Sequence, residues 1–353
     1  MANYKPDIEA KLSNEKDNLL KDAPDFLVYY IDVVLPAKSN ELRSHIAYGK
    51  DILNFLSFYA EEINKSIGQL TTSDMDKVNL EILNKYFRYI TQYTVTYKTS
   101  TGKIVQRLRT NSTSSKARKL AALKKFFGYL QKSQLISNNP TEDMKISKPE
   151  ITKIDNRLDS SEVFELKNEI VNGDNILTPH AEKAHERLML RDLTIYQVIS
   201  YTGIRVSELV SLDLSDIDLN RCTIKVTRKN NKISELPLPE EAVKILTEYM
   251  VYRNKLTPKV KQEYKKALFL SQQMKRITEQ SVRILLKKYA GRINIDDLGC
   301  HTLRRTLLSS LYNQTSDIRL TARIGGHSVA TASKYYADVT EERLRDTLRN
   351  FNY

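Results

Sequence analysis

Tryptophan is absent from the 353 residues, and cysteine occurs only as Cys222 and Cys300. Two isolated thiols, with no CxxC spacing and no Cys/His cluster, exclude a disulfide framework and a structural zinc site. Histidine is also scarce, with five in all. His180 and His185, in HAEKAHE, miss the HExxH spacing of a helical zinc site. No metal or other cofactor is expected. No apolar run approaches the roughly 20 residues of a membrane span, and the start, MANYKPDIEAKL, has no apolar signal core. The expectation is a cytoplasmic protein with no membrane partner. Internal repeats and low-complexity tracts are missing too.

Acidic side chains are outnumbered, 43 against 56 basic ones, which leaves a net charge of +13 and a pI near 9.4. That balance suits a polyanionic partner. Apolar residues make up 41%, enough for a globular chain, and the length suggests two domains. The charge is unevenly placed. Residues 1–102 are slightly acidic in balance. The stretch that follows carries Lys103, Arg107, Arg109, Lys116, Arg118, Lys119, Lys124, Lys125 and Lys132 with no acidic residue among them. Such a run is either a solvated helix face after a basic loop or a phosphate-contacting surface. Its place inside an otherwise acidic half favours the second reading.

The first half reads as helices. Leu42, Ile46, Gly49, Leu53 and Leu56 line one face of residues 40–63. Leu80, Leu83, Phe87 and Ile90 line a second helix. Leu120, Leu123, Phe127 and Leu130 line a third, with Ser114 or Ser115 as its expected cap. An earlier helix is expected over residues 26–34, after Pro24 and before Pro36. TVTYKTSTGKIVQRLRT, between the second and third, suggests a short hairpin turning at Thr101–Gly102. Four amphipathic helices with short connections fit a small bundle. Residues 137–153 are polar, hold two prolines and lack helical periodicity, as a linker would.

The second half is mixed. RLMLRDLTIYQVISYTG reads as an apolar helix closed by Gly203. RCTIKVT alternates strictly and KISELPL follows after a polar turn, which predicts a hairpin with Lys229 at its tip. A helix is expected over residues 278–290. HTLRRTLLSSLYN, DIRLTARIGG and SVATASKYY then read as three helices broken at Gly325–Gly326, and EERLRDTLRNF as a short end helix carrying Leu344, Leu348 and Phe351.

Six polar residues in this half converge on phosphodiester chemistry: Arg205, Lys229, His301, Arg304, His327 and Tyr336. Metal-free attack on a phosphodiester places extra charge on the non-bridging oxygens. Two arginines can neutralise it through paired N–H donors, and positioned charge of this kind is often the largest catalytic contribution. A tyrosine can be the nucleophile, and a lysine and histidines can move the protons. Each residue alone has a plainer reading. Either arginine could pair with a carboxylate, and Glu208 lies one turn from Arg205. A loop lysine is usually solvated, and Lys232 competes with Lys229. A lone histidine is usually structural, and one tyrosine among 20 means nothing by itself. Tyr335 would point about 100° away from Tyr336 around a helix and reads as a packing residue.

The residues in this order resemble the tyrosine recombinase (phage integrase) family, over the chain from about Asp159 onward. TGIRVSELVSLDLSDIDL is similar to that family's first arginine motif. VTRKNNKISELPL aligns without a gap on its lysine hairpin and selects Lys229. HTLRRT matches its His-x-x-Arg box, and GGHSVATASKYY matches its closing histidine and nucleophile motif. Within the family, the length and VTRKNNK look most like the single-protein Xer recombinases. Three positions depart from the pattern: Arg305 where histidine is common, Gly325 where leucine is common, and Asp338 where Xer proteins often have histidine.

The resemblance implies a mainly α fold with a small β-hairpin or sheet. A helical core-binding (SAM-like) domain over residues 1–150 would act as a DNA clamp, and a mixed α/β catalytic domain over residues 154–353 would end in a docking helix. It also implies a mechanism. Tyr336 forms a 3′-phosphotyrosyl link and Lys229 protonates the leaving 5′ oxygen. His301 helps deprotonate Tyr336, His327 hydrogen-bonds the phosphate, and Arg205 and Arg304 hold the transition state with Glu208 in support. A Holliday junction then forms and resolves. The implied partners are a double-stranded recombination site, a homotetramer on two sites, and a cell-division DNA translocase if the role is chromosome dimer resolution. The alternatives are a mobile-element integrase, a monomeric type IB topoisomerase-like enzyme, and a DNA-binding regulator that has lost catalysis.

Overall fold

The computed structural model describes residues 4–37, 41–99, 102–146, 157–176, 178–228, 232–336, 345 and 349. Residues 3–154 form one compact unit and residues 155–353 another.

The first unit begins with α1 (Tyr4–Leu20), α2 (Asp25–Tyr29), α3 (Leu42–Glu62), α4 (Thr72–Asp76) and α5 (Leu80–Tyr89). The ribbon β1 (Gln92–Lys98) and β2 (Ile104–Thr110) and the helix α6 (Thr113–Lys132) complete it. The single helix expected over residues 26–34 is instead α2 followed by a π turn, Tyr30–Val34. Ser112, not Ser114 or Ser115, caps α6: its hydroxyl accepts the Ser115 N–H at 3.2 Å, so the helix starts two or three residues earlier than its apolar stripe suggests.

Helices α3 and α6 carry the core. Phe55, Tyr86 and Phe127 meet edge to face, as do Phe126 and Phe127. All four rings are fully buried, and truncating one such ring typically costs about 3–5 kcal/mol. Beside this core lies a buried charge cluster. Asp51 of α3 pairs with Arg118 and with Lys119 of α6, the latter at 3.2 Å, and Lys119 also donates to Asn54 at 3.2 Å. A buried carboxylate needs such partners, because desolvation would otherwise exceed its worth.

In the second unit, α7 (Ser160–Asn172) leads into the long α8 (Pro179–Thr202). Thr178 caps α8 and Pro179 occupies its first turn, the position where a missing N–H costs nothing. A nearly continuous buried run from Asp192 to Ile199 makes α8 the central helix. Gly203 ends it in the left-handed region at φ +59°. A short α9 (Val206–Ser211) follows, then a three-stranded antiparallel sheet of β3 (Ile217–Asp218), β4 (Thr223–Thr227) and β5 (Ile233–Pro237). The β4–β5 register runs from Thr223↔Pro237 to Thr227↔Ile233. The described chain closes with α10 (Glu240–Leu256), α11 (Glu279–Arg292), α12 (Cys300–Thr315), α13 (Ile318–Gly325) and α14 (Val329–Tyr336). Leu344, Leu348, Phe351 and Asp338 lie outside the described residues. No helix among the described residues is long and apolar enough to cross a membrane.

Candidate active site

Five segments of the second unit meet at Arg304. This arginine sits in the second turn of α12 and is fully buried. Its guanidinium donates to the carbonyls of Gly203, where α8 ends, and Gly325, where α13 ends. The same Nη2 lies 2.8 Å from Nε2 of His327. Burial, then the nearby Arg205, pushes its pKa down to about 10; the group stays charged at neutral pH, and its Nε has no partner among the described residues.

Arg205 stands at the N-cap of α9, where Gly203 has just turned the chain. Its backbone N–H donates to Glu208 Oε2 at 2.8 Å, its Nη1 to Glu208 Oε1 at 2.9 Å, and its Nη2 to the Gly326 carbonyl at 3.3 Å. Glu208 is 5% exposed. The carboxylate that the sequence offers as a plain ion-pair partner is therefore present, yet Arg205 still spans to the turn before His327.

His327 follows the double glycine. A Cβ on Gly325 would lie 2.7 Å from His327 Cδ2, so the ring occupies room that leucine at position 325 would take. Burial, then Arg304 and Arg205, holds the imidazole down at about 4. A neutral ring whose Nε2 receives the Arg304 donor carries its proton on Nδ1. Tyr336 completes the group from α14: its phenol oxygen lies 3.4 Å from the same Nε2, and the residue is 6% exposed. Burial raises the phenol pKa, and Arg304, Arg305 and Arg205 oppose the rise. The arrangement places a phenol, a neutral acceptor and two fixed guanidiniums together, which is what an oxygen nucleophile and a developing phosphorane charge need.

His301, in the first turn of α12, is exposed as a residue, yet partial desolvation of its ring and then Arg304, Arg305 and Arg205 hold its pKa below the ordinary value. It shares the electrostatic neighbourhood, but the histidine facing the phenol is His327. Lys229 lies outside the described residues. The described residues on either side of it are joined by the Arg228 N–H donating to the Lys232 carbonyl at 2.7 Å. Tyr335, expected to pack, is 51% exposed, because its neighbour takes the inward position on α14.

The sequence reading missed Arg228. It is 8% exposed and donates to Glu208 Oε2 at 3.3 Å and to the Ile324 carbonyl at 2.8 Å. The signal was available: Ile224 and Val226 on the buried side of β4 and Arg228, one residue past its end, alternate in sequence.

Of the basic residues of the first unit, Lys103, Arg107 and Arg109 are exposed on the ribbon. Lys116, Arg118, Lys124 and Lys125 lie on α6. Lys116 reaches Thr91, Lys124 the Glu142 carbonyl and Lys125 the Tyr48 hydroxyl, while Arg118 pairs with Asp51 and remains half exposed. Lys119 is buried, and its ammonium is taken by Asp51 and Asn54. It is therefore not part of a DNA-facing surface.

Comparison with known proteins gives the site its setting. The family described as Phage integrase family matches residues 171–343. The tyrosine recombinase XerC of Herpetosiphon aurantiacus is 34% identical over 238 residues, 66% of this chain and 71% of that protein. The tyrosine recombinase XerC of Caldanaerobacter subterraneus is 28% identical over 336 residues, 92% of this chain and 86% of that protein. Among solved structures, the XerH site-specific recombinase bound to a palindromic difH substrate matches with a TM-score of 0.63 at 19% identity, covering 88% of this chain and 80% of that one. Fold and relatives together define an enzyme class, the site-specific DNA recombinases. The chain belongs to the tyrosine recombinase family, with Xer-type proteins among its relatives.

Proposed function

We propose that the chain cuts and rejoins DNA at a specific site through a 3′-phosphotyrosyl link on Tyr336, in a Xer-like role of chromosome dimer resolution. The observation that carries the reading is the convergence of Arg205, Arg304, His327 and Tyr336, with the phenol 3.4 Å from an imidazole that itself lies 2.8 Å from a buried guanidinium. The Tyr336 oxygen attacks phosphorus, and the bond from phosphorus to the 5′ oxygen breaks. The phenol proton passes to a histidine: His327 faces it, and His301, whose pKa is held down by burial and then by the nearby arginines, is the second acceptor. Lys229 delivers a proton to the departing 5′ oxygen. Arg205 and Arg304 hold the non-bridging oxygens, and His327 hydrogen-bonds the phosphate once the phenol has moved to attack. The free 5′-hydroxyl of the partner strand then reverses the chemistry, through a Holliday junction built by four protomers on two sites. In the first unit, Lys103, Arg107, Arg109, Lys116, Arg118, Lys124 and Lys125 contact backbone phosphates. The division into residues 1–150 and 154–353 serves binding and chemistry respectively, and a cell-division translocase is a partner this role would call on.

The test is a covalent trap on genomic DNA of the source cell, with Tyr336→Phe in parallel, followed by sequencing of the protein-linked ends. A single sharp site near the replication terminus, lost in the variant, is the expected result. Links at the boundary of a mobile element would replace the resolvase role with an integrase role. Links scattered over the genome would favour a topoisomerase, and none at all a regulator without catalysis.

A further inference from the structure

Arg228 joins three of the converging segments without an obvious reason to be charged. It is buried one residue past the end of β4, directly before Lys229 in the sequence. One Nη reaches Glu208 Oε2 at 3.3 Å, the carboxylate that holds Arg205, and the other reaches the Ile324 carbonyl at 2.8 Å, at the end of α13. Its side chain also packs against Gly326: a Cβ there would come within 3.0–3.2 Å of Arg228 Nη1, Cζ and Cδ. Gly326 has φ +57°, so both the backbone and the space beside Arg228 call for glycine at this turn.

The charge balance gives this packing a purpose. Besides its carbonyl and His327 partners, Arg304 has Arg205, Tyr336, Glu208 and Arg228 near enough to bear on its charge, and of these four Glu208 is the carboxylate. Left with Arg205 alone, Glu208 would form a closed pair and cancel much of the charge that Arg205 offers a phosphate. With a second guanidinium on Oε2, the carboxylate is shared, and Arg205 keeps one arm on the Gly326 carbonyl. A lone structural ion pair would not need to be placed between the loop of a general-acid lysine and the turn of a catalytic histidine.

We propose that Arg228 is a positioning residue for strand cleavage: it offsets Glu208 so that Arg205 keeps its charge for the phosphate, and it ties the base of the lysine hairpin to the Gly325–Gly326 turn that carries His327. The proposal rests on the recombinase reading above. It assigns Arg228 no contact with DNA, and its effect runs through Arg205 and the two loops.

A double-substitution cycle tests it, with full-length protein and the DNA fragment recovered from the covalent trap. Single-turnover formation of the protein–DNA link is measured for wild type, Arg228→Met, Glu208→Gln, the double variant and Arg228→Lys, with DNA affinity and melting temperature alongside. Arg228→Met should slow linkage at least about tenfold with affinity little changed, and the double variant should be faster than the product of the two single effects by about tenfold, because the stranded carboxylate is gone. Arg228→Lys, which keeps the charge, should stay within about threefold of wild type; should Arg228→Met fail to fold, this variant still decides the matter. Strictly multiplicative effects, or Arg228→Lys as slow as Arg228→Met, would overturn the proposal and leave Arg228 as packing. Failure of wild type to form any link would instead overturn the recombinase reading, and the role of Arg228 with it.

Discussion

His327 is neutral because of what surrounds it. Burial and two guanidiniums hold its pKa at about 4, whereas an unfolded chain would have it near 6.5. The sign of the consequence follows. Below about pH 6.5 the unfolded chain binds a proton that the folded chain refuses, so this group's contribution to stability declines as pH falls and levels off near pH 4. Wild type should therefore lose melting temperature on acidification across that window, and His327→Gln should lose less; equal slopes would contradict the assignment. Arg304 offers a second prediction at this scale. Its fork bridges two carbonyls and an imidazole, a geometry that lysine cannot reproduce. Arg304→Lys should slow cleavage by about two to three orders of magnitude, the usual loss when a positioned charge donor is removed, in a single-turnover assay.

Among the elements, α3 and α6 depend on one buried carboxylate. Asp51→Ala would leave the Lys119 ammonium buried without its counter-charge, and removing one partner of such a pair costs about 3–5 kcal/mol. Urea unfolding should show an unfolding free energy lower by that amount, while Arg118→Ala, at the half-exposed end of the cluster, should cost well under half as much. The contrast between Lys119 and Arg109 shows where the sequence was and was not legible. Both belong to the same uninterrupted basic run. Arg109 lies exposed on a strand, and Lys119 lies on the apolar side of a helix opposite Asp51, a pairing across 68 positions that composition cannot reveal. Arg228 escaped for a similar reason: its alternation with Ile224 and Val226 predicts an inward side chain, but only the tertiary fold supplies Glu208 and Ile324. By contrast, Arg205, Arg304, His327 and Tyr336 were legible because each lies in a short motif whose neighbours also match. Arg205 and His327 also lie at turns that Gly203 and Gly325–Gly326 mark in the sequence. Helices α7 and α10 were not singled out, although α7 opens with a capping box, Asp159 with Glu162.

At the scale of the whole molecule, the charge of +13 is arranged rather than spread. The ribbon of residues 92–110 holds four basic residues and no acidic one, and pairs Tyr93 with Arg109 and Val95 with Arg107 in register. Each phosphate contact adds about one unit to the salt dependence of DNA binding. Arg107→Ala with Arg109→Ala should therefore weaken binding and reduce the slope of log affinity against log salt by about two. A slope unchanged by the pair would remove the ribbon from the DNA-binding surface.

The central claim is that Tyr336 is the nucleophile, and the most direct measurement is the identity of the linked residue. Protein trapped on DNA would be digested with trypsin and nuclease, and the nucleotide-bearing peptide sequenced by mass spectrometry. The account predicts a 3′-nucleotidyl phosphate on Tyr336. The same mass on the adjacent Tyr335, or a link that survives in Tyr336→Phe, would contradict it.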